Sequence, residues 1–317
     1  MRSVRHRRGY VLLVTLGLLV LASTLLVAVG RSAVRHVLAA QHEQDELQRR
    51  WGVISCRQAI LPYSEQILAT MEDSENRAVP SYRDTVNLGG QQFLLIVADE
   101  QAKANVNLLL ETMSVAAAED RLRESVTGEG ISNHVRLRPS ILAVDLSEDA
   151  AVTTQPAAPV PLISGPGQIF DAIAPEQLIG SANSAAPLDS ITCWGSGPIN
   201  IFRATEPAMQ LALRPALTQL QIQRLIQARD RTMQISRTSR LPVSIPPTGG
   251  KSNNDAIASL LNQAGIDPKN RGKIAVVSGS TCHSLWIVVQ DRQRSWDYLT
   301  VSDESNPKSP QIDSFMW

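Results

Sequence analysis

Residues Tyr10 through Val29 form an unbroken run of 20 residues without one charge. The hydrocarbon core of a bilayer is ~30 Å thick and takes ~20 helical residues to cross. Leucine and valine dominate the run, and Gly17 is its only internal weak helix former. Arg2, Arg5, Arg7 and Arg8 precede it, against Arg31 and Arg35 after it. That excess of positive charge predicts a single-pass span with a cytoplasmic N-terminus. Everything past residue 30 then lies outside the inner membrane, in the periplasm of a two-membrane cell.

Three fates are open to such a segment. It is a secretory signal cut near the small residues Ala28-Val29-Gly30, although its apolar run exceeds the ~7–15 residues usual there. It is a plain signal anchor. Or it is a leader of a third kind: Arg7-Arg8-Gly9-Tyr10, a short basic stretch closed by glycine, then an aromatic residue, then the apolar run, resembles a type IV prepilin leader. That resemblance implies cutting by prepilin peptidase between Gly9 and Tyr10, with residues 1–9 lost and the greasy segment retained.

No proline or turn cluster follows Val29 until Pro62. Val34, Val37, Leu38, Leu47, Trp51, Ile54 and Leu61 recur mostly at three- and four-residue steps with charges between, which predicts one helix over residues 10–61. At 1.5 Å per residue it is roughly 75 Å long. A small domain cannot bury such a helix, so its natural partners are lipid and other helices of the same kind.

The remaining composition is exclusionary. With 30 Lys+Arg against 30 Asp+Glu the formal net charge is zero, and nothing draws the chain as a whole to nucleic acid. Hydrophobic residues at 43% suffice for a packed core. Three cysteines are too few for a disulfide-dense mini-fold. His6, His36 and His42, three of five histidines, lie in or beside the N-terminal hydrophobic region, which argues against a His-rich catalytic zinc site.

Gln91 to Ala98 reads as a strand after the Gly89-Gly90 turn. Residues 112–126 read as a helix, and 147–168, with four prolines among Ala, Ser and Thr, as a linker. Residues 169–231 read as helical. Thr205 before Glu206-Pro207 starts one helix there, and Thr218 with Gln221 forms a capping box for another ending near Arg229. Residues 232–255 read as a loop and Ile257–Ala264 as a short helix. Strands follow over 273–278, 284–290 and 297–302, then a polar tail. The order predicts an α+β fold with a helical insertion. Its segments are a head part at 62–111, the insertion at 112–231 and closing strands at 232–317.

Four segments resemble the K-type minor pseudopilin of type II secretion, general secretion pathway protein K. They are Arg8-Gly9-Tyr10 with the apolar run; Asp99 through Leu108, with Asn105 and Asn107 in register; Ile191 through Thr205, with Trp194, Gly195, Asn200 and Thr205 in register; and Arg214-Pro215 to Arg229. The chain departs from the family in lacking a W-x-D-x-D motif between the second and third segments, and in having Ala102 where glycine is expected. The resemblance implies a type IV pilin-like fold, a long N-terminal helix packed on an antiparallel sheet with a helical insertion domain, and no enzymatic activity. It implies a place at the tip of a pseudopilus that primes fibre assembly and serves protein export. Its implied partners are the I- and J-type minor pseudopilins, the major pseudopilin, prepilin peptidase, the inner-membrane assembly platform and the lipid bilayer. Most type IV pilins carry glutamate at the fifth mature position, where it neutralises a neighbour's buried amine. Here that position is Val14, as in K-type subunits, which have no neighbour above them.

Cys193 and Cys282 are available to pair in an oxidising compartment, and Cys56 reads as a lone thiol. Cys282-His283 is a poor nucleophile pair, because strand neighbours face opposite ways. The helices between Glu206 and Arg229 have the rhythm of a helix–hairpin–helix module but no glycine turn to meet a phosphate, so nucleic acid is not an expected partner. The family resemblance allows calcium, for which Asp303, Glu304, Asp313, Asp189 and Asp171 are eligible without matching any defined loop. A signal-anchored periplasmic adaptor or enzyme and a pilin-like DNA-uptake subunit remain the alternatives.

Overall fold

The computed structural model describes residues 7–75, 77–126, 130–141, 161–180, 186–214, 216–238, 251–290, 295–305 and 311–316. The chain divides into two compact units, Met1–Ile54 and Ser55–Trp317.

The described residues of the first unit are helical. α1 spans Arg7–Ile60, 54 residues, or ~80 Å at 1.5 Å per residue. It is the helix among the described residues that is long and apolar enough to cross a membrane. Every residue from Tyr10 to Val29 is exposed, so no protein covers this apolar surface. Its hydroxyls bond within the helix: Thr15 donates to the Leu12 carbonyl at 2.9 Å, Ser23 to Val20 at 2.8 Å and Thr24 to Leu21 at 2.9 Å. A helix in hydrocarbon must satisfy its polar groups in this way, having no water to do so.

The second unit begins with the last turn and a half of α1. α1 ends at Ile60, close to the expected Leu61; Pro62 sits in one 3₁₀ turn, Leu61–Tyr63, after which the chain forms α2 (Ser64–Glu75). Proline is tolerated at a helix's first positions, where its missing N–H is not needed. The Ser64 hydroxyl donates to the Leu61 carbonyl at 2.8 Å across this turn. β1 (Ser81–Leu88) and β2 (Gln91–Asp99) form a hairpin about Gly89 and Gly90, with φ of 61° and 86°. Two consecutive positive φ values are what a two-residue hairpin loop demands and what glycine supplies.

Short elements follow: β3 (Ala104–Asn105), α3 (Val106–Thr112), α4 (Val115–Ser125), β4 (Ser140–Ile141), β5 (Pro161–Leu162), α5 (Pro175–Ile179), β6 (Ile191–Thr192) and β7 (Ile199–Asn200). Three helices come next, α6 (Glu206–Leu213), α7 (Gln219–Thr238) and α8 (Lys251–Gln263). The chain ends through β8 (Val276–Val277), β9 (Cys282–Gln290), β10 (Ser295–Asp303) and β11 (Gln311–Met316).

The main sheet is antiparallel, ordered β1-β2-β9-β10-β11. Everything between β2 and β9 is inserted into it. Strand β9 is central, buried on both faces over eight of its nine residues. Phe93, Leu95 and Val97 pair with Val289, Ile287 and Leu285 on one face, toward α2, which packs on β2 and β9. Ile96, Trp286, Val288, Leu299 and Val301 face the other way, into a core shared with α3, α4 and α5. A second apolar cluster unites α6, α7 and α8 through Met209, Ile222, Leu225, Leu260 and Leu261.

The fold is thus α+β, with the long helix, antiparallel sheet and helical insertion expected. The details differ. Residues 169–231 are less helical than their apolar content suggested: before α6 their described part holds α5, one 3₁₀ turn (Pro187–Asp189) and the two-residue strands β6 and β7. α7 runs nine residues past Arg229 to Thr238 and α8 begins at Lys251, so residues 232–238 and 251–255 of the expected loop are helical, and 239–250 lie outside the described residues. Of the expected linker, residues 147–160 lie outside the described residues, and 161–168 hold β5 and the 3₁₀ turn Pro166–Gln168. The strand expected at 273–278 shrinks to β8 and pairs in parallel with β7 rather than joining the main sheet. The polar tail contributes edge strand β11, and β1 forms the other edge. Both carry Asp, Asn or Gln with little apolar alternation, because an edge strand has less to bury.

Candidate functional site

The second and third family-like segments meet in space. β3 pairs in parallel with β6, joining Asn105 to Thr192. Asn105 caps α3, its Oδ1 accepting from the Asn107 amide at 2.9 Å while its Nδ2 donates to the Trp194 carbonyl at 2.9 Å. The Asn107 Nδ2 donates to the carbonyls of Ile163 and Cys193, both at 2.9 Å, and its Oδ1 accepts from the Ile163 amide at 2.8 Å. Both asparagines are therefore spent on the backbone. They sew the insertion's first helix to the 163 and 193–195 segments. Gly195, at φ 84°, turns the chain directly over Cys282: a Cβ there would lie 3.3 Å from Cys282 Cβ and from Gln101 Cγ. The Trp194 ring stacks at a tilt on Phe315, with centroids 5.9 Å apart.

These residues border an open groove of about 400 Å³ that also receives Glu111, Asp303 and Asp313. The other carboxylates eligible for calcium are engaged elsewhere. Asp171 pairs with Arg138 at 2.6 Å. Asp189 accepts from the Ala186 amide at 2.9 Å and lies 3.7 Å from Arg83. Glu304 is exposed. Among the described residues no group of three or more His, Cys, Asp or Glu side chains is placed to hold a metal ion. The residues do not fit a calcium site, and no role is derived through one.

Asn200 and Thr205 lie apart from the groove and do different work. Thr205 caps α6, its hydroxyl accepting from the Ala208 amide at 3.3 Å. Asn200 enters a buried polar junction around Asp99, whose side chain is fully enclosed. Asp99 accepts from Ser280 Oγ at 2.6 Å, Asn200 Nδ2 at 3.2 Å and the Ala102 amide at 3.1 Å. Beside it, buried Glu100 accepts from Lys103 Nζ at 2.6 Å, Ser284 Oγ at 2.5 Å and Thr192 Oγ1 at 2.5 Å. The Asp99-to-Lys103 stretch thus ties the end of β2 to β6, β9 and the start of the 280s.

Arg203 completes the junction. Its Nε and Nη2 donate to Glu72 at 2.9 and 3.2 Å, and its Nη1 and Nη2 to Glu65 at 2.5 and 2.9 Å; Asp99 Oδ2 lies 3.5 Å from Nη1. His283 Nε2 also reaches Glu65, at 3.1 Å. Burial raises the Glu65 carboxyl, but hydrogen bonds from His283 and Arg203 and their charges outweigh it and bring the pKa down to about 2. Burial lowers the Arg203 pKa, and the two glutamates more than reverse that. No pattern in the sequence marks Arg203, Glu65 or Glu72 as partners; the one local signal is an arginine directly after Ile201-Phe202.

Cys193 and Cys282 belong to one apolar cluster but stand as free, buried thiols, as does Cys56. The pairing of Cys193 with Cys282 is not made. Burial, and then the nearby Glu100 charge, pushes both thiols well above the ordinary range. Glu65 is the carboxylate partner of His283, at 3.1 Å. Cys282 is fully buried and its strand neighbour His283 points to the opposite face, so the two assemble no nucleophile. Gly9 and Tyr10 lie in the first turn of α1, and residues 1–6 lie outside the described residues.

No family model matches the chain, and no curated protein matches it. Among solved structures, a chain of the GspK-GspI-GspJ complex from the enterotoxigenic Escherichia coli type 2 secretion system is similar to it. The match covers 88% of this chain and 99% of that one, at 14% identity and a TM-score of 0.42.

Proposed function

We propose that this chain is a minor pseudopilin of the K type, working at the tip of a type II secretion pseudopilus. One observation carries the reading: α1 is a single helix from Arg7 to Ile60, and a 3₁₀ turn links it directly to the first helix of the head. The candidate span is the N-terminal part of one continuous rod of helix, α1. A secretory cut near residue 30 would fall inside that rod and discard half of it, whereas a cut at Gly9–Tyr10 keeps it whole.

The mature rod rests in the inner membrane with its N-terminus cytoplasmic and its head periplasmic. It then leaves lipid for the core of a short fibre, where helices of the same kind cover the apolar surface left bare between Tyr10 and Val29. Val14 at the fifth mature position suits a subunit with no neighbour above. The I- and J-type minor pseudopilins, the major pseudopilin, prepilin peptidase and the assembly platform are its partners. Its work is to prime assembly and aid export, by binding rather than by catalysis. The Asn105, Asn107 and Trp194 cluster keeps the insertion in place as the head's outer layer.

The test is the intact mass of protein extracted from membranes of the native host. Loss of residues 1–9, with or without a methyl group on Tyr10, supports the reading. An intact N-terminus, or a soluble form beginning near residue 30, overturns it.

A further inference from the structure

Helix α2 is 12 residues long and buries only Ser64, Leu68 and Glu72, a stripe at four-residue steps with one apolar member. Apolar burial is what usually fixes a surface helix, and here a single leucine supplies its fully buried part. Charge supplies the rest. Arg203, 5% exposed, forms two-pronged hydrogen bonds to both Glu72 and Glu65, and His283 of β9 reaches Glu65 from the other side. Glu72 Oε1 also accepts from the Val79 amide at 3.4 Å, closing the loop that leaves α2. One arginine in the turn after β7 thereby binds α2 to both the sheet and the helical insertion.

We infer that α2 is latched to the head through Arg203, and that removing this guanidinium frees α2 as a unit while the five-stranded sheet stays folded. A buried carboxylate that loses its partner is costly. Asp99 would keep Asn200, Ser280 and the Ala102 amide. Buried Glu72 would lose its two-pronged partner, while half-exposed Glu65 would keep His283; undocking α2 returns Glu72 to water for the loss of Leu68 and the half-buried Ile67, Ala69 and Met71. Local opening takes the cheapest such route. The latch holds the head's first helix, which follows the Leu61–Tyr63 turn. The latch itself does not depend on the pseudopilin reading and would stand if N-terminal processing proved otherwise.

The experiment is amide hydrogen exchange of the full chain in detergent micelles, followed in peptides covering residues 64–75 and 284–302. In Arg203→Met, exchange in α2 is expected to rise roughly 10- to 100-fold with β9 and β10 unchanged. Adding Glu65→Gln and Glu72→Gln, which removes the stranded charges, is expected to recover part of the lost protection. Unchanged protection of α2 in Arg203→Met, or equal loss in β9 and β10, overturns the inference. Should Arg203→Met fail to fold, Arg203→Lys keeps the charge but not the fork geometry. A rise of a few-fold confined to α2 then supports the latch, and no rise, or one shared by the sheet, overturns it.

Discussion

Asn107 and Ile163 exchange two hydrogen bonds across 56 residues of sequence: the Asn107 Nδ2 donates to the Ile163 carbonyl at 2.9 Å, and the Ile163 amide donates to Asn107 Oδ1 at 2.8 Å. The side chain thus behaves as a strand partner for a segment that otherwise has only the two-residue β5 beside it. Its second Nδ2 hydrogen goes to the Cys193 carbonyl at 2.9 Å. One amide holds three segments.

Replacing that amide by a carboxylate, Asn107→Asp, keeps the shape and the acceptor but removes both donations. Two carbonyls then face a negative charge. The expected cost is about 2 kcal/mol in urea denaturation of the detergent-solubilised chain. A change under about 0.5 kcal/mol would show that water replaces the amide and that the residue is not a fastener.

Asn200→Asp tests the second junction. The Asn200 Nδ2 donates to Asp99 at 3.2 Å and to Ser280 Oγ at 2.9 Å, all three side chains being buried. The variant sets two carboxylates against each other where one was satisfied, a loss of about 3 kcal/mol at neutral pH. The penalty should shrink toward pH 4, where the pair can share a proton. A penalty independent of pH would assign the cost to geometry instead of charge.

What could be read ahead of the structure follows a physical divide. α1, β2, β9, β10 and the caps at Thr205 and Thr218 announce themselves through local patterns: an uncharged run, alternation, an oxygen at the right offset. The Thr218–Gln221 box forms as expected, with the Thr218 amide donating to Gln221 Oε1 at 2.9 Å. Asn105, Asn107 and Trp194 were visible only as parts of a family-like motif, and their role in joining segments was not. Arg203 was invisible, since its partners Glu72 and Glu65 lie 131 and 138 residues away and an ion pair leaves no periodicity. β1 and β11 were not expected: in β1 the apolar face of Tyr82, Val86 and Leu88 is interrupted by Asp84, and β11 is short and begins in a polar stretch.

The cysteines make a prediction about reactivity. Cys56, Cys193 and Cys282 are all buried, and burial raises all three thiols, so few thiolates exist at pH 8. Native protein should resist iodoacetamide for hours, and three thiols should label once denaturant is added without reductant. A count of one under denaturing conditions would reveal a Cys193–Cys282 bond formed in the periplasm.

Two carboxyls give stability opposite slopes with pH. Glu65 is held near 2, below its ordinary 4.5, so its contribution is complete above about pH 4.5 and is lost as pH falls toward 2. Half of that side chain faces water, and screening limits the share to about 1 kcal/mol. Asp297 goes the other way: burial raises its pKa above 3.8, against the Trp286 Nε1 hydrogen bond at 3.1 Å. Its charged form is the costly one, so its unfavourable share grows as pH climbs through 3.8 and beyond. Glu65→Gln should therefore flatten the fall in thermal midpoint between pH 5 and 2. Asp297→Asn can still accept from Trp286 and should raise the midpoint at pH 7, by about 0.5–1 kcal/mol of stability. A destabilised Asp297→Asn would mean that the Trp286 bond needs the charge more than burial resents it.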